Sequence, residues 1–422
     1  MKLFRQILFW SHLSAGLVAG LFIGVMCFTG ATLAFETELV SWSERDARRI
    51  IPPSHDAARL PLADLVKKAR EANPDAPIAS MAISSDPTLA VSFPLGRDGA
   101  IYANPYTGEI KAPASNTMRE FMRTMTDWHR FLARTGDRRA TGKAINGACN
   151  LAFCILAMTG LYLWIPRTWS WAGVKAIAVF NWKLAGKPRD FNWHNSIGLW
   201  SAPVLIVLTL TAVPISYRWG TNLFYALAGE EPPAQPSPGG ASGPAVEIPT
   251  PADGTRPLSY DAQLAAVRKL FPAAELITFR LGAGGSRGGQ TQTEGDRRRE
   301  VPPAGEVRSE SPREGGRESR GRAPQAVNIT VKQPGAWPRT ATTTLVLNPY
   351  TGEELKREGF DSLSTGRRIR SWTRFLHTGQ ALGWVGQLFA GLACLGGCFL
   401  VYTGAALSWR RFFRRKPAAM IS

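Results

Sequence analysis

The chain has 422 residues, 45% hydrophobic and 19% charged, with a formal net charge of +18. An excess of that size suggests nucleic acid, but twelve basic residues against one acid flank long uncharged stretches on one side, which argues for topology signals instead. All five cysteines lie inside those stretches, so the polar segments have no disulfide framework.

Apart from histidine, residues 6–35, 144–166, 191–217 and 375–409 carry no charge. Each window exceeds the roughly 20 apolar residues that cross a hydrocarbon core. Four transmembrane helices are expected, over 7–36, 143–166, 191–217 and 377–409. The first apolar run is longer than a signal sequence's, and LAFETELVSW after it offers no small-x-small cleavage site, so it reads as a retained helix. Lys2 and Arg5 precede the first span. Arg167, Lys175, Lys183, Lys187 and Arg189 separate the second from the third, and Arg410, Arg411, Arg414, Arg415 and Lys416 follow the fourth. The positive-inside rule makes this side cytoplasmic, with both termini, the loop 167–190 and the tail 410–422. The two long segments then face the other compartment.

In the first long segment, Leu62, Leu65, Val66 and Ala69 recur at helical spacing within 59–73. Alternating strands follow at 78–84 and 88–93, and Gly99–Ala103 leads into the next motif. Asn104-Pro-Tyr-Thr-Gly-Glu109 then reads as a turn, with φ preset by Pro105 and a left-handed position at Gly108. A small α+β module over 37–118 is expected, followed by an outer helix and turn over 119–142.

The pattern is written twice. Asn348-Pro-Tyr-Thr-Gly-Glu353 repeats the turn at an offset of 244, and the same offset carries Trp128-x-Arg-Phe-Leu132 onto Trp372-x-Arg-Phe-Leu376. It also carries Thr159-Gly160 onto Thr403-Gly404. At an offset of 182, His12, Gly16 and Thr29 fall on His194, Gly198 and Thr211. The expected fold is an α-helical polytopic membrane protein with a two-fold internal repeat and two small α+β modules. The second module spans 218–358, with strands at 276–281, 326–333 and 342–347, and is followed by an outer helix over 359–376. Its Pro/Gly-rich 230–254 and Gly/Arg/Glu-rich 282–324 have no apolar periodicity and read as disordered inserts. Between the second and third spans, Trp169, Trp171, Phe180 and Trp182 interleave with Lys175 and Lys183, as in an interfacial segment.

Of the five histidines, His55 falls in a polar loop. His12 and His194 stand near the inner ends of the first and third spans. His377 opens the fourth span, and His129 lies on the outer helix before the second. At offset 244 His377 falls on Ala133, one helical turn from His129 and on the same face. An ionisable group at membrane depth is a functional candidate by default. Two imidazoles per tier suit axial ligation of a haem, and imidazole also binds zinc or copper. A structural zinc site wants four ligands, which two histidines do not supply. No C-x-x-C-H run is present, so a haem would be noncovalent. Gly16, Gly20, Gly198, Gly379 and Gly383 would let a macrocycle approach the backbone, and GxxxG helix packing accounts for Gly16 and Gly20 equally well. Arg130 and Arg374, beside the histidines, suit haem propionates or interface anchoring alike.

His-x3-Gly and Thr-Gly in the first span, His-x3-Gly in the third, both NPYTGE turns, Trp-His-Arg-Phe-Leu132, Thr-Gly-Leu-Tyr-Leu-Trp164 and Phe-Leu-His-Thr-Gly379 together resemble the PepSY-associated transmembrane family. Members similar to this chain include bacterial inner-membrane ferric-siderophore reductases with haem b and periplasmic PepSY modules. The resemblance implies two haems b held by His12, His129, His194 and His377, and reduction of a periplasmic ferric chelate from Fe3+ to Fe2+ with release of iron. With no flavodoxin-like or nicotinamide-binding domain, the electron donor would be a quinol or a cytoplasmic reductase. Thr211-Ala212 departs from the Thr-Gly pattern, and the Arg-rich insert has no family counterpart. The rival expectations are an iron or haem transporter and a non-enzymatic PepSY binding or regulatory protein.

Overall fold

The computed structural model describes residues 2–54, 56–96, 99–166, 169–233, 248, 255–281 and 326–413. His55, Arg167, Arg414, Arg415, Lys416 and nearly all of the two inserts lie outside them. In chain order, α1 (Lys2–Leu33) is followed by α2 (Glu36–Ser43), α3 (Arg45–Arg48) and α4 (Leu62–Ala72). Strands β1 (Ser80–Ser84), β2 (Val91–Pro94), β3 (Ala100–Ala103) and β4 (Ile110–Lys111) lead to α5 (Thr117–Phe131) and α6 (Arg138–Trp164). Then come α7 (Trp171–Ala178), α8 (Gly186–Ser216), α9 (Arg218–Leu227) and α10 (Tyr260–Leu270). Strands β5 (Leu276–Arg280), β6 (Val327–Lys332), β7 (Thr343–Leu347) and β8 (Glu354–Glu358) precede α11 (Thr365–His377) and α12 (Trp384–Phe412).

Helices α1, α6, α8 and α12 are long and apolar enough to cross a membrane. They pack as a ring, α1 against α6 and α12, and α8 against the same two. Ile23, Met26, Cys27, Phe153, Leu205 and Ala393 fill its centre. All five cysteines are unpaired. At the end carrying the N-terminus, α8 holds α7 through three side chains one turn apart. Asn192 Nδ2 donates to the carbonyls of Ala176 (2.7 Å) and Val179 (3.0 Å), Ser196 to Ile177 (3.1 Å) and Trp200 Nε1 to Ala178 (3.0 Å). The carbonyls a helix end leaves open are thereby satisfied, while Trp169, Trp171 and Trp182 stay exposed.

At the opposite end the strands form one sheet rather than two separate modules. Its order is β4-β3-β2-β1-β5-β6-β7-β8, antiparallel throughout. The seam is β1 against β5, with Ala82 opposite Thr278. Each half would otherwise expose an unpaired strand edge, and pairing the two edges removes both. Helices α4 and α10 cover one face, burying Leu65, Val66 and Val267 against Met81, Phe93 and Phe279. Both NPYTGE turns form as expected. The Asn104 and Asn348 side chains accept the amides two residues on, Tyr106 and Tyr350, at 2.9 Å, and Gly108 and Gly352 take φ of +72°. Each turn reverses the chain into a further strand, β4 or β8, absent from the sequence-based expectation.

The fourth span also differs. Gly379 and Gly383 adopt φ of +73° and +66°, and the chain breaks between α11 and α12. His377 therefore ends an outer helix rather than opening a span. That gives His129 and His377 matching settings, each near the C-terminus of a helix outside the four spans.

Both of these helices are tied at their N-terminal ends by a carboxylate supplied soon after a span. Glu44, 1% exposed, pairs with Arg119 on α5 and accepts the Tyr102 hydroxyl at 2.6 Å. Glu230 accepts from Ser364 Oγ (2.6 Å) and the Gly366 amide (3.1 Å) at the start of α11, favourable beside a helix N-terminus.

Phe279→Ala is expected to destabilise the sheet by about 3–5 kcal/mol, measured by denaturant unfolding in detergent, since it empties a site with no solvent access. Burial, then the hydrogen bond and charge of Glu44, push the Tyr102 phenol up to about 12. A folded-state value above the ordinary one of about 10 stabilises the fold fully below that pH, and this contribution fades as pH climbs toward 12. Alkaline titration of tyrosinate absorbance is expected to show a late phenol that moves earlier in Glu44→Gln.

Candidate functional site

Each of the four helix-borne histidines is held by a threonine on another helix. His12 Nδ1, on α1, lies 3.0 Å from Thr159 Oγ1 on α6. His194 Nδ1, on α8, lies 2.9 Å from Thr403 Oγ1 on α12. On the sheet side, His129 Nδ1 is 2.9 Å from Thr29 Oγ1 and 3.1 Å from the Met26 carbonyl, both on α1. His377 Nδ1 is 2.9 Å from the Leu208 carbonyl and 3.4 Å from Thr211 Oγ1, both on α8.

These contacts determine the tautomers. A carbonyl only accepts, so Nδ1 of His129 and of His377 carries the hydrogen. At the other two rings the threonines decide. Each of the four hydroxyls donates to the carbonyl four residues back in its own helix: Thr29 to Val25, Thr159 to Ile155 and Thr211 to Val207 at 2.7 Å, and Thr403 to Phe399 at 2.8 Å. A hydroxyl with its one hydrogen so committed accepts from the imidazole. All four rings are therefore Nδ1–H tautomers, leaving Nε2 with a free lone pair for a metal.

The residue after the threonine makes room for the ring. A Cβ at Gly160 would stand 3.1 Å from His12 Cε1, one at Gly30 3.3 Å from His129 Cε1, and one at Gly404 3.6 Å from His194 Cε1. The fourth motif has Ala212, and its histidine–threonine distance is the longest of the four at 3.4 Å. The other glycines of the expected site have these settings. Gly16, Gly20 and Gly198 face Leu156, Val401 and Leu400 of neighbouring helices, and Gly379 and Gly383 make the turn before α12.

On the sheet side two of the histidines meet. The rings of His129 and His377 have centroids 6.2 Å apart with planes inclined at 49°. Two imidazoles sharing one metal through bonds of about 2 Å have ring centres roughly 6 Å apart. His12 and His194 stand in the N-terminal halves of α1 and α8. Seventeen residues separate His12 from Thr29, and His194 from Thr211, about 25 Å of helix. The two histidine pairs thus sit toward opposite ends of the bundle. Among the described residues no group of three or more His, Cys, Asp or Glu could hold a metal ion. The spacing of His129 and His377 suits two positions on one metal. Arg130 and Arg374, next to and three residues before these histidines, are exposed and pair with no carboxylate among the described residues, Arg130 lying over the Phe131 ring at 5.1 Å.

A family model described as the PepSY-associated TM region matches residues 9–411. The chain belongs to that family. No curated protein matches it. Family membership and the four apolar helices make this PepSY-associated chain a membrane protein.

The threonines and the Met26 and Leu208 carbonyls were not among the expected site residues. Their signal is the recurrence of Thr-Gly at 29, 159 and 403 with Thr-Ala at 211, visible in sequence but without its partners. Gly160→Leu is expected to drive His12 off Thr159 while leaving the bundle folded, read as faster diethylpyrocarbonate modification of His12.

Proposed function

We propose that the chain is an inner-membrane haem b protein that conducts electrons across the bilayer to reduce a ferric siderophore or similar chelate on the sheet side. The observation that carries this reading is the His129–His377 couple, with a 6.2 Å centroid separation and both Nδ1 atoms engaged by the protein. His129 and His377 would hold one haem, and His12 and His194 a second. When bound, the haem supplies one-electron chemistry. The chain's own residues orient the imidazoles, keep Nε2 unprotonated and surround the couples with apolar side chains. Arg130 and Arg374 offer guanidiniums for propionates or for an anionic chelate.

Lys2, Arg5, Lys175, Lys183, Lys187, Arg189, Arg410 and Arg411 gather at the end away from the sheet, which supports a cytoplasmic location for that end and a periplasmic one for the sheet. Supporting a two-fold repeat are the 244-residue offset, the strand order symmetric about the β1–β5 seam, and the paired carboxylates Glu44 and Glu230. Iron(III) prefers hard oxygen donors, and reduction to the softer iron(II) loosens them, so one electron releases the metal. Quinol or a cytoplasmic reductase would be the donor.

The purified protein is expected to show a b-type spectrum on dithionite reduction. His12→Ala and His377→Ala are each expected to remove about half of it, since each deprives one couple of a ligand. A spectrum unchanged in both variants rejects the assignment.

A further inference from the structure

The two couples are held differently. On the sheet side each Nδ1–H has two acceptors, a threonine hydroxyl and a main-chain carbonyl. On the far side, among the described residues, each has the threonine alone. We propose that Thr159 and Thr403 are the positioning residues of the far couple, the single hydrogen-bond acceptors that fix the tautomer and ring orientation of His12 and His194, whereas Thr29 and Thr211 share that task with the Met26 and Leu208 carbonyls. The inference rests on the axial-ligand reading above.

The chemistry runs through one bond. Thr159 Oγ donates its hydrogen to Ile155 O and Thr403 Oγ to Phe399 O, so each oxygen faces the ring as an acceptor. Accepting the Nδ1 hydrogen raises electron density at Nε2 and favours the oxidised state of a metal bound there. Removing the oxygen leaves the ring free to turn or to move its hydrogen to Nε2, which abolishes the lone pair a metal needs. On the sheet side the backbone carbonyl retains the hydrogen when the threonine is lost.

The test compares Thr159→Val and Thr403→Val with Thr29→Val and Thr211→Val, each alongside its Thr→Ser counterpart, in full-length protein. Three readouts are taken: affinity of stripped protein for added haemin, midpoint potentials, and nitrogen NMR tautomers of labelled histidine without haemin. Thr159→Val and Thr403→Val are expected to weaken haemin binding at the far couple by about 10–100-fold. They should also raise the potential of the haem that remains and mix the tautomers of His12 or His194. The sheet-side variants should shift all three less, and serine should restore the original values. If the valine variants at 159 and 403 keep tautomer, affinity and potential, or if the sheet-side variants lose as much, the positioning role is overturned while the ligand assignment stands. If the wild-type protein takes up no haemin, the ligand assignment falls, and the NMR comparison still decides whether these threonines set the tautomers.

Discussion

The arrangement depends on one kind of bond, an imidazole N–H accepted by a threonine oxygen whose own hydrogen is already bonded within its helix. In an apolar bundle a threonine left to itself turns its hydroxyl back to the carbonyl one turn earlier. That habit costs the helix little and leaves an oxygen with spare lone pairs facing a neighbouring element. Used at Thr29, Thr159, Thr211 and Thr403, it provides four acceptors at chosen depths. A histidine meeting one of them satisfies a polar group that would be costly to bury unpaired, and its other nitrogen is released for chemistry.

Glycine completes the device. An imidazole bonded to a helical threonine lies against the backbone of the next residue, so a side chain there competes with the ring. Gly30 and Gly160 avoid this, and at Gly404 a Cβ would make only an ordinary contact with the His194 ring. The fourth motif has a methyl group at Ala212, and there the Leu208 carbonyl makes the shorter of the two contacts to His377. The same end therefore bonds its rings partly to main chain, which a substitution cannot delete.

The outer helices are anchored at both ends. Helices α5 and α11 project their histidines onto the bundle while their N-terminal ends are bound to Glu44 and Glu230. Glu44 also accepts Tyr102 from the sheet, so displacing α5 would disturb a buried carboxylate. Joining both halves through the β1–β5 seam links their two frameworks, which suits a pair of histidines that come from different halves of the chain. Gln387 on α12 adds a further tie, donating to the Ala34 carbonyl (2.8 Å) and to Glu38 where α1 passes into α2.

Read alone, the chain determines its four spans, their approximate ends, the paired NPYTGE turns and the four histidines, because each depends on local properties: apolar length, φ preference, residue type. The tertiary structure decided what these residues meet. His12 and Thr159 are 147 positions apart and His194 and Thr403 are 209, and nothing local sets the rotation of one helix against another. The seam between β1 and β5 likewise joins strands nearly two hundred residues apart, and an edge strand's pattern is the same whether water or another edge lies beside it. The break before α12 was written in Gly379 and Gly383, yet an uncharged run conceals a turn, since hydropathy measures transfer from water and is blind to the sign of φ.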